Sequence, residues 1–242
     1  MAVEDASTAA NPPAEPVRRR DLAVARSLDS ARVRSEGRVQ RFLDAGFELL
    51  ARAESGKEFT VQEVVDRSGQ SLRSFYQYFA GKHELLLALF DEAILSTADR
   101  LEEQIARRDT PLERLHTFVV EYYRMCLPAP KGRQSKNNPT PVMAEFCHQL
   151  LTAHQTEASR AFVPLVTLLE SVLDDAAEAG DIASGSSHAE LAGVILSTIM
   201  FNAAYARTIS GESGTLDADH ADDAADQIWD VLSGGLVTRP RG

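Results

Sequence analysis

TVQEVVDRSGQSLRSFYQYFAGKHELL, residues 60–86, decides how the rest of the chain is read. Thr60 and Glu63 have the T-x-x-E spacing of a capping box, in which a threonine hydroxyl accepts from the third amide of a helix and the glutamate reaches back to the cap. The spacing predicts a helix that starts at Thr60. Val61, Val64 and Val65 fall at i, i+3 and i+4, so they share one face that needs burial. Ser68 and Gly69 end the pattern, because a glycine just past the last periodic position takes the left-handed conformation without strain. A second short helix is predicted from near Ser71. The unit is helix, turn, helix.

In that second helix Leu72, Phe75, Tyr76 and Phe79 alternate with Ser71, Arg73, Ser74, Gln77 and Tyr78, too many hydrogen-bonding groups for a wholly buried element. Such a face fits a DNA major groove. Arg73 can pair with a guanine edge or a phosphate, Ser71 and Gln77 can read base edges, and the hydroxyls of Tyr76 and Tyr78 can reach phosphates. Lys82 opens the next helix, where free amides and the helix dipole favour an anion.

Gly69, Tyr76, Phe79, Lys82 and Leu85, in the frame G-x6-Y-x2-F-x2-K-x2-L, resemble the DNA-binding core of the tetracycline-repressor (TetR) family of transcriptional regulators. Gln70 and Leu72-Arg73 depart from the usual residues of that core, so no relative's operator sequence carries over. The resemblance implies an all-α chain: a three-helix helix-turn-helix domain at 34–84, joined by a long helix to a helical effector-binding and dimerisation domain at 85–242. It also implies that the first helix touches the DNA backbone near its amino end. The candidate DNA-facing set is then Arg34, Thr60, Ser71, Leu72, Arg73, Tyr76, Gln77, Tyr78 and Lys82.

The formal net charge of -11 argues at face value against a nucleic-acid partner. Its distribution argues otherwise. Residues 17–82 carry a balance of +4 and residues 83–242 one of -12, the pattern of a basic module on an acidic body, or of ordinary fluctuation. Cys126 and Cys147 lie in no metal-ligand spacing and read as two buried thiols or a redox pair. The amino end has neither a basic start nor an apolar core, and the longest uncharged run, residues 191–206, is short for a bilayer and contains Asn202. A cytoplasmic protein without a membrane partner is expected.

Residues 1–16, rich in Ala and Pro, are expected to be disordered. The extension at 1–33 then turns basic, with Arg18, Arg19, Arg20, Arg26 and Arg32, and Arg34, Arg38 and Arg41 follow. It reads either as an arm or helix lying along DNA or as a solvated tail. From about Ser35 a support helix begins, with Val39, Phe42, Leu43, Gly46, Leu49, Leu50 and Ala53 on one face, and a loop follows around residues 55–57. Residues 82–108 read as one long helix, able to couple two cores or merely to connect them. Thr110-Pro111 starts another, which stops before Pro128. Residues 128–141 read as a polar loop. Helices are expected at 142–155, 157–179, 189–209 and 221–236, with a break at Gly180-Asp181 and an acidic, solvated face over residues 212–230.

The run LAGVILSTIMFNAAYA is apolar or small on every side, and Ile228, Trp229 and Leu232 stripe the last helix. Either a buried core helix or a homodimer through 189–209 and 221–236 accounts for this, and the resemblance implies the dimer. It likewise implies a pocket for a small apolar effector, with candidate lining residues Phe118, Tyr122, Met125, Phe146, Leu150, Phe162, Leu165, Met200, Phe201, Asn202 and Tyr205. His148 is a further polar candidate. No phosphate loop, metalloprotease or hydrolase motif occurs, and neighbours Cys147 and His148 diverge on a helix, so no catalytic residue, metal or cofactor is assigned. The leading expectation is a regulator, most simply a repressor, with a double-stranded DNA operator as partner. The alternatives are a constitutive DNA-binding regulator, and a helical small-molecule carrier or enzyme.

Overall fold

Phe42 is the residue on which the amino-terminal helices converge. It is fully buried, and its ring meets Phe75 at 5.5 Å and Phe79 at 6.0 Å, both edge-on, the arrangement that aromatic quadrupoles favour. The computed structural model describes residues 19–52, 59–127, 141–183, 187–210 and 218–237, among which there are ten helices and no strand. In chain order they are α1 Arg19–Arg52, α2 Val61–Ser68, α3 Leu72–Tyr78, α4 Lys82–Ile105, α5 Pro111–Cys126, α6 Pro141–Ala153, α7 Gln155–Ala161, α8 Val163–Glu178, α9 His188–Ser210 and α10 Ala218–Leu236.

The chain groups into two units, Met1–Arg41 and Phe42–Gly242. What is described of the first is the leading part of α1. It is helical from Arg19, sixteen residues ahead of the start that apolar periodicity predicts, and Val24, Leu28 and Val33 are exposed along it. Periodicity marks only the turns that bury a face, so an exposed helix escapes it.

In the second unit, the rest of α1 buries Phe42, Leu43, Ala45 and Leu50. Gly46 admits Leu89 of α4 so closely that a Cβ there would lie 2.8 Å from Leu89 Cδ1. From that contact α4 runs on into the body, burying Phe90, Ile94, Leu101 and Ile105 and packing on α5 to α8. One helix therefore belongs to two cores. Around α5 are packed α4, α8, α9 and α10, which makes it the axis of the body. An isolated antiparallel bridge, Ile182 to Val237, ties the chain just after α8 to the end of α10, and Gly180, at φ +80°, makes the turn that permits it.

Two expectations need correction. The stretch 157–179 is not one helix: α7 ends at Ala161 and α8 starts at Val163. Pro164 is the reason, since it has no amide hydrogen to donate four residues back and sits comfortably only in a first turn. The long helix ends at Ile105 rather than residue 108, the chain tightening into a turn before Thr110. The expected disorder at 1–16, Ala53, the loop at 55–57 and the polar loop at 128–140 lie outside the described residues.

Candidate nucleic-acid interface

Thr60 makes both halves of the predicted capping box: its amide donates to Glu63 Oε2 at 2.7 Å, and the Glu63 amide donates to Thr60 Oγ1 at 3.2 Å. This fixes the start of α2, whose Val64 and Val65 are buried. Gly69 closes the helix at φ +65°, in the left-handed region, and its amide donates to the Val65 carbonyl. Two residues later Ser71 caps α3, accepting from the Ser74 amide at 3.1 Å. Turn and caps are thus set by four residues close in sequence.

On α3 only Phe75 is buried, and Phe79 at its carboxyl end is buried as well. These two rings hold the short helix against Phe42. The opposite face carries Leu72, Arg73, Tyr76 and Gln77, all exposed, with Tyr76 57% and Leu72 43% accessible. Tyr78 is half-buried. Tyr76 packs its ring edge-on to Phe75 at 5.5 Å, which fixes its direction without covering it. Arg73 therefore stands on a rigid, exposed helix face, where a guanidinium can make paired hydrogen bonds to a base edge or a phosphate.

Lys82 is half-buried, its Nζ lying 5.0 Å from the centroid of the buried Phe59 ring, a cation–π contact. Sequence reasoning passed over Phe59, because a lone aromatic before a cap has no periodic partner to reveal it. Beside Lys82, the Glu84 carboxylate accepts from the Ala80 amide and caps the entry to α4 from within. Arg67 is held at 2.5 Å by Glu48, tying α2 to α1. Arg34 is exposed on α1 in the other unit.

In the body, the proposed lining residues separate into two groups. Phe118, Tyr122, Phe146, Leu150, Phe162 and Leu165 are buried, and Phe90 links two of them, its ring lying 6.3 Å from Phe146 and 5.6 Å from Phe162. Met125, Met200 and Asn202 are half-buried. Phe201 and Tyr205 lie outside, 58% and 39% exposed and stacked on each other at 5.0 Å. The reason is phase: α9 turns Ala192, Ile195, Leu196 and Ile199 inward, and Phe201, two residues past Ile199, falls on the far side. The Tyr205 hydroxyl lies 3.5 Å from His148 Nδ1 on α6.

Burial pushes the Cys126 thiol up to about 12 and the Cys147 thiol to about 11, and it raises Tyr122 well above the usual phenol value. Two clefts open elsewhere. One, of about 460 Å³ between α8 and the start of α9, is polar and holds His188 with its Nδ1 at 2.5 Å from Asp174. The other, of about 450 Å³, lies between Leu112 and the Trp229 region of α10. Neither is lined by the predicted effector residues.

Residues 42–89 match the family described as bacterial regulatory proteins, tetR family. Over 89 residues the chain is 26% identical to the fatty acid metabolism regulator protein of Bacillus subtilis strain 168. That alignment takes in 36% of this chain and 45% of the relative, so the chain spans under half the length of the curated relative it matches. Among solved structures, the reduced form of Escherichia coli NemR has a TM-score of 0.60 at 13% identity, covering 85% of this chain and all of that one. Bacillus subtilis FadR, solved with stearoyl-CoA, has a TM-score of 0.56 at 16% identity, covering 81% and 98%. At these identities the likeness is one of fold. It extends far beyond the matched segment.

Proposed function

We propose, from the premise that residues 42–89 are a TetR-family helix-turn-helix segment on a fold shared with known regulators, that the protein is a dimeric DNA-binding repressor released by an apolar effector. The observation that carries the reading is α3. A seven-residue helix with one buried side chain, presenting Arg73, Tyr76 and Gln77 outward, has more surface to offer a groove than to a core. DNA reading is assigned to 34–84, effector binding and dimerisation to 85–242, and the site of action to the cytoplasm.

Dimerisation is supported by the outer faces of the last two helices. Val194, Phe201 and Tyr205 on α9 and Val231 on α10 are exposed, with small Gly193, Ser197 and Ala204 between the α9 residues. A second copy would cover them and set two recognition helices about 34–36 Å apart, one DNA turn, on an imperfect palindrome. The effector is read as a molecule with a long apolar chain, such as the acyl chain of a fatty acyl-CoA, by analogy with the stearoyl-CoA of the Bacillus subtilis FadR structure. Entry between α4, α5, α6 and α8 would displace Phe146 and Phe162, both of which lie edge-on to Phe90 of α4. The His83 ring, in the first turn of α4, lies 5.6 Å from Phe146 and 5.0 Å from His154, so movement of α6 would reach the helix that carries Lys82.

Genomic-fragment capture followed by a gel-shift titration tests the reading. Sequence-preferring, salt-dependent binding of a pseudo-palindrome is expected, weakened by micromolar acyl-CoA. Binding that no acyl-CoA or other hydrophobic metabolite alters favours the constitutive regulator, and no sequence preference at any salt concentration overturns both.

A further inference from the structure

The leading part of α1 carries arginines in a pattern that neither the helix-turn-helix nor a core requires. At about 100° per residue, Arg19, Arg26, Arg34, Arg38 and Arg41 fall within an arc of about 120° on the helix. All five are exposed. Asp29 and Glu36 lie roughly 120–140° from the centre of that arc, and Arg32 lies diametrically opposite it. Arg32 is also the arginine that pairs with those acids, at 3.9 Å to Asp29 and 3.4 Å to Glu36. Opposite charges are thereby gathered on one side, and over residues 19–41 no carboxylate shares the arginine face, Asp44 one turn beyond Arg41 being the first that does.

We infer that this stripe is a phosphate-tracking surface that lies along duplex DNA and adds phosphate contacts to those of the helix-turn-helix. Residues 19–41 span about 33 Å as a helix, close to one turn of DNA, and the arginines recur along it at spacings of seven, eight, four and three residues. Exposed guanidiniums on a rigid rod suit phosphate oxygens, which they bind through paired hydrogen bonds. The segment offers little else to bind with, since Val24 and Leu28 stand on another face and are separately exposed. The inference rests on the regulator reading for the identity of its duplex.

The test uses the full chain and the operator fragment it selects, with the affinity followed against salt concentration. The variant is Arg19→Gln/Arg26→Gln/Arg38→Gln, which leaves Arg34 and every residue of α2 to α4 in place. Each phosphate contact contributes about 0.9 to the slope of log affinity against log salt, so the slope should fall by roughly 2 to 3 and affinity at 0.15 M by about tenfold or more. Arg32→Gln should leave the slope as it is. An unchanged slope for the triple variant, or an equal fall for Arg32→Gln, overturns the inference while the regulator reading stands. Loss of sedimentation with phosphatidylglycerol vesicles in the triple variant, with DNA binding unaltered, also overturns it by giving the surface to a membrane. A wild-type chain with no sequence-preferring DNA binding removes the regulator reading itself and the inference with it.

Discussion

Helices α3 and α5 use their aromatic residues in opposite ways. In α3, Phe75 is fully buried and its neighbour Tyr76 is 57% exposed, so one ring anchors the helix and the next is displayed. In α5, Phe118, Tyr122 and Tyr123 are all buried, because helices pack on it from several sides. The first arrangement spends little surface on stability and keeps a face free for a partner. The second fills the core of the body. How few of its side chains are covered separates a displayed helix from a core one.

The largest expected effect would break the anchor. Phe75→Ala should cost about 3–5 kcal/mol in urea unfolding, as for a fully buried aromatic, whereas Tyr76→Ala should change stability by less than about 0.5 kcal/mol. Similar losses for the two would mean that α3 is not displayed at all. Next comes the burial of the body. A thiol pushed up to about 12 holds its proton more tightly folded than unfolded, where it titrates near 8.5. Its contribution to stability is therefore full below about pH 8.5 and is lost as pH rises through 12. At pH 8 Ellman's reagent should label the native thiols more slowly than in urea; equal rates would show the body open around Cys126 and Cys147.

Arg73→Ala sharpens the contrast on the displayed side. It should weaken operator binding by about 1–3 kcal/mol and relax preference at one base pair, with the melting temperature unmoved. A variant with unchanged preference and affinity takes Arg73 out of the reading set. The smallest effect is local: Thr60→Ala removes the cap acceptor at the start of α2 and should cost about 1 kcal/mol by thermal unfolding, and an unmoved melting temperature would show that the cap contributes nothing.

These residues also show what could be read early. The cap at Thr60 and the turn at Gly69 depend on partners three and four residues away, and the structure has both as predicted, whereas Ser71, expected to read base edges, has its hydroxyl capping α3. The break before Pro164 was present in the sequence but masked by apolar spacing that runs through it. Phe59 beneath Lys82 had no such signal, because a cation–π contact joins positions that share no period.

The sequence alone determined the elements whose hydrogen bonds close locally: where helices begin, where a left-handed residue must end one, and which polar side chains accompany the α3 motif. It determined as well that α9 carried more apolar surface than one face can hide. Only the tertiary structure decided which side of α9 was covered, turning Ile195 and Ile199 inward and leaving Phe201 and Tyr205 outside. Hydrophobicity states that a side chain gains by leaving water, without direction, and the choice of neighbour is made by packing among helices far apart in the chain.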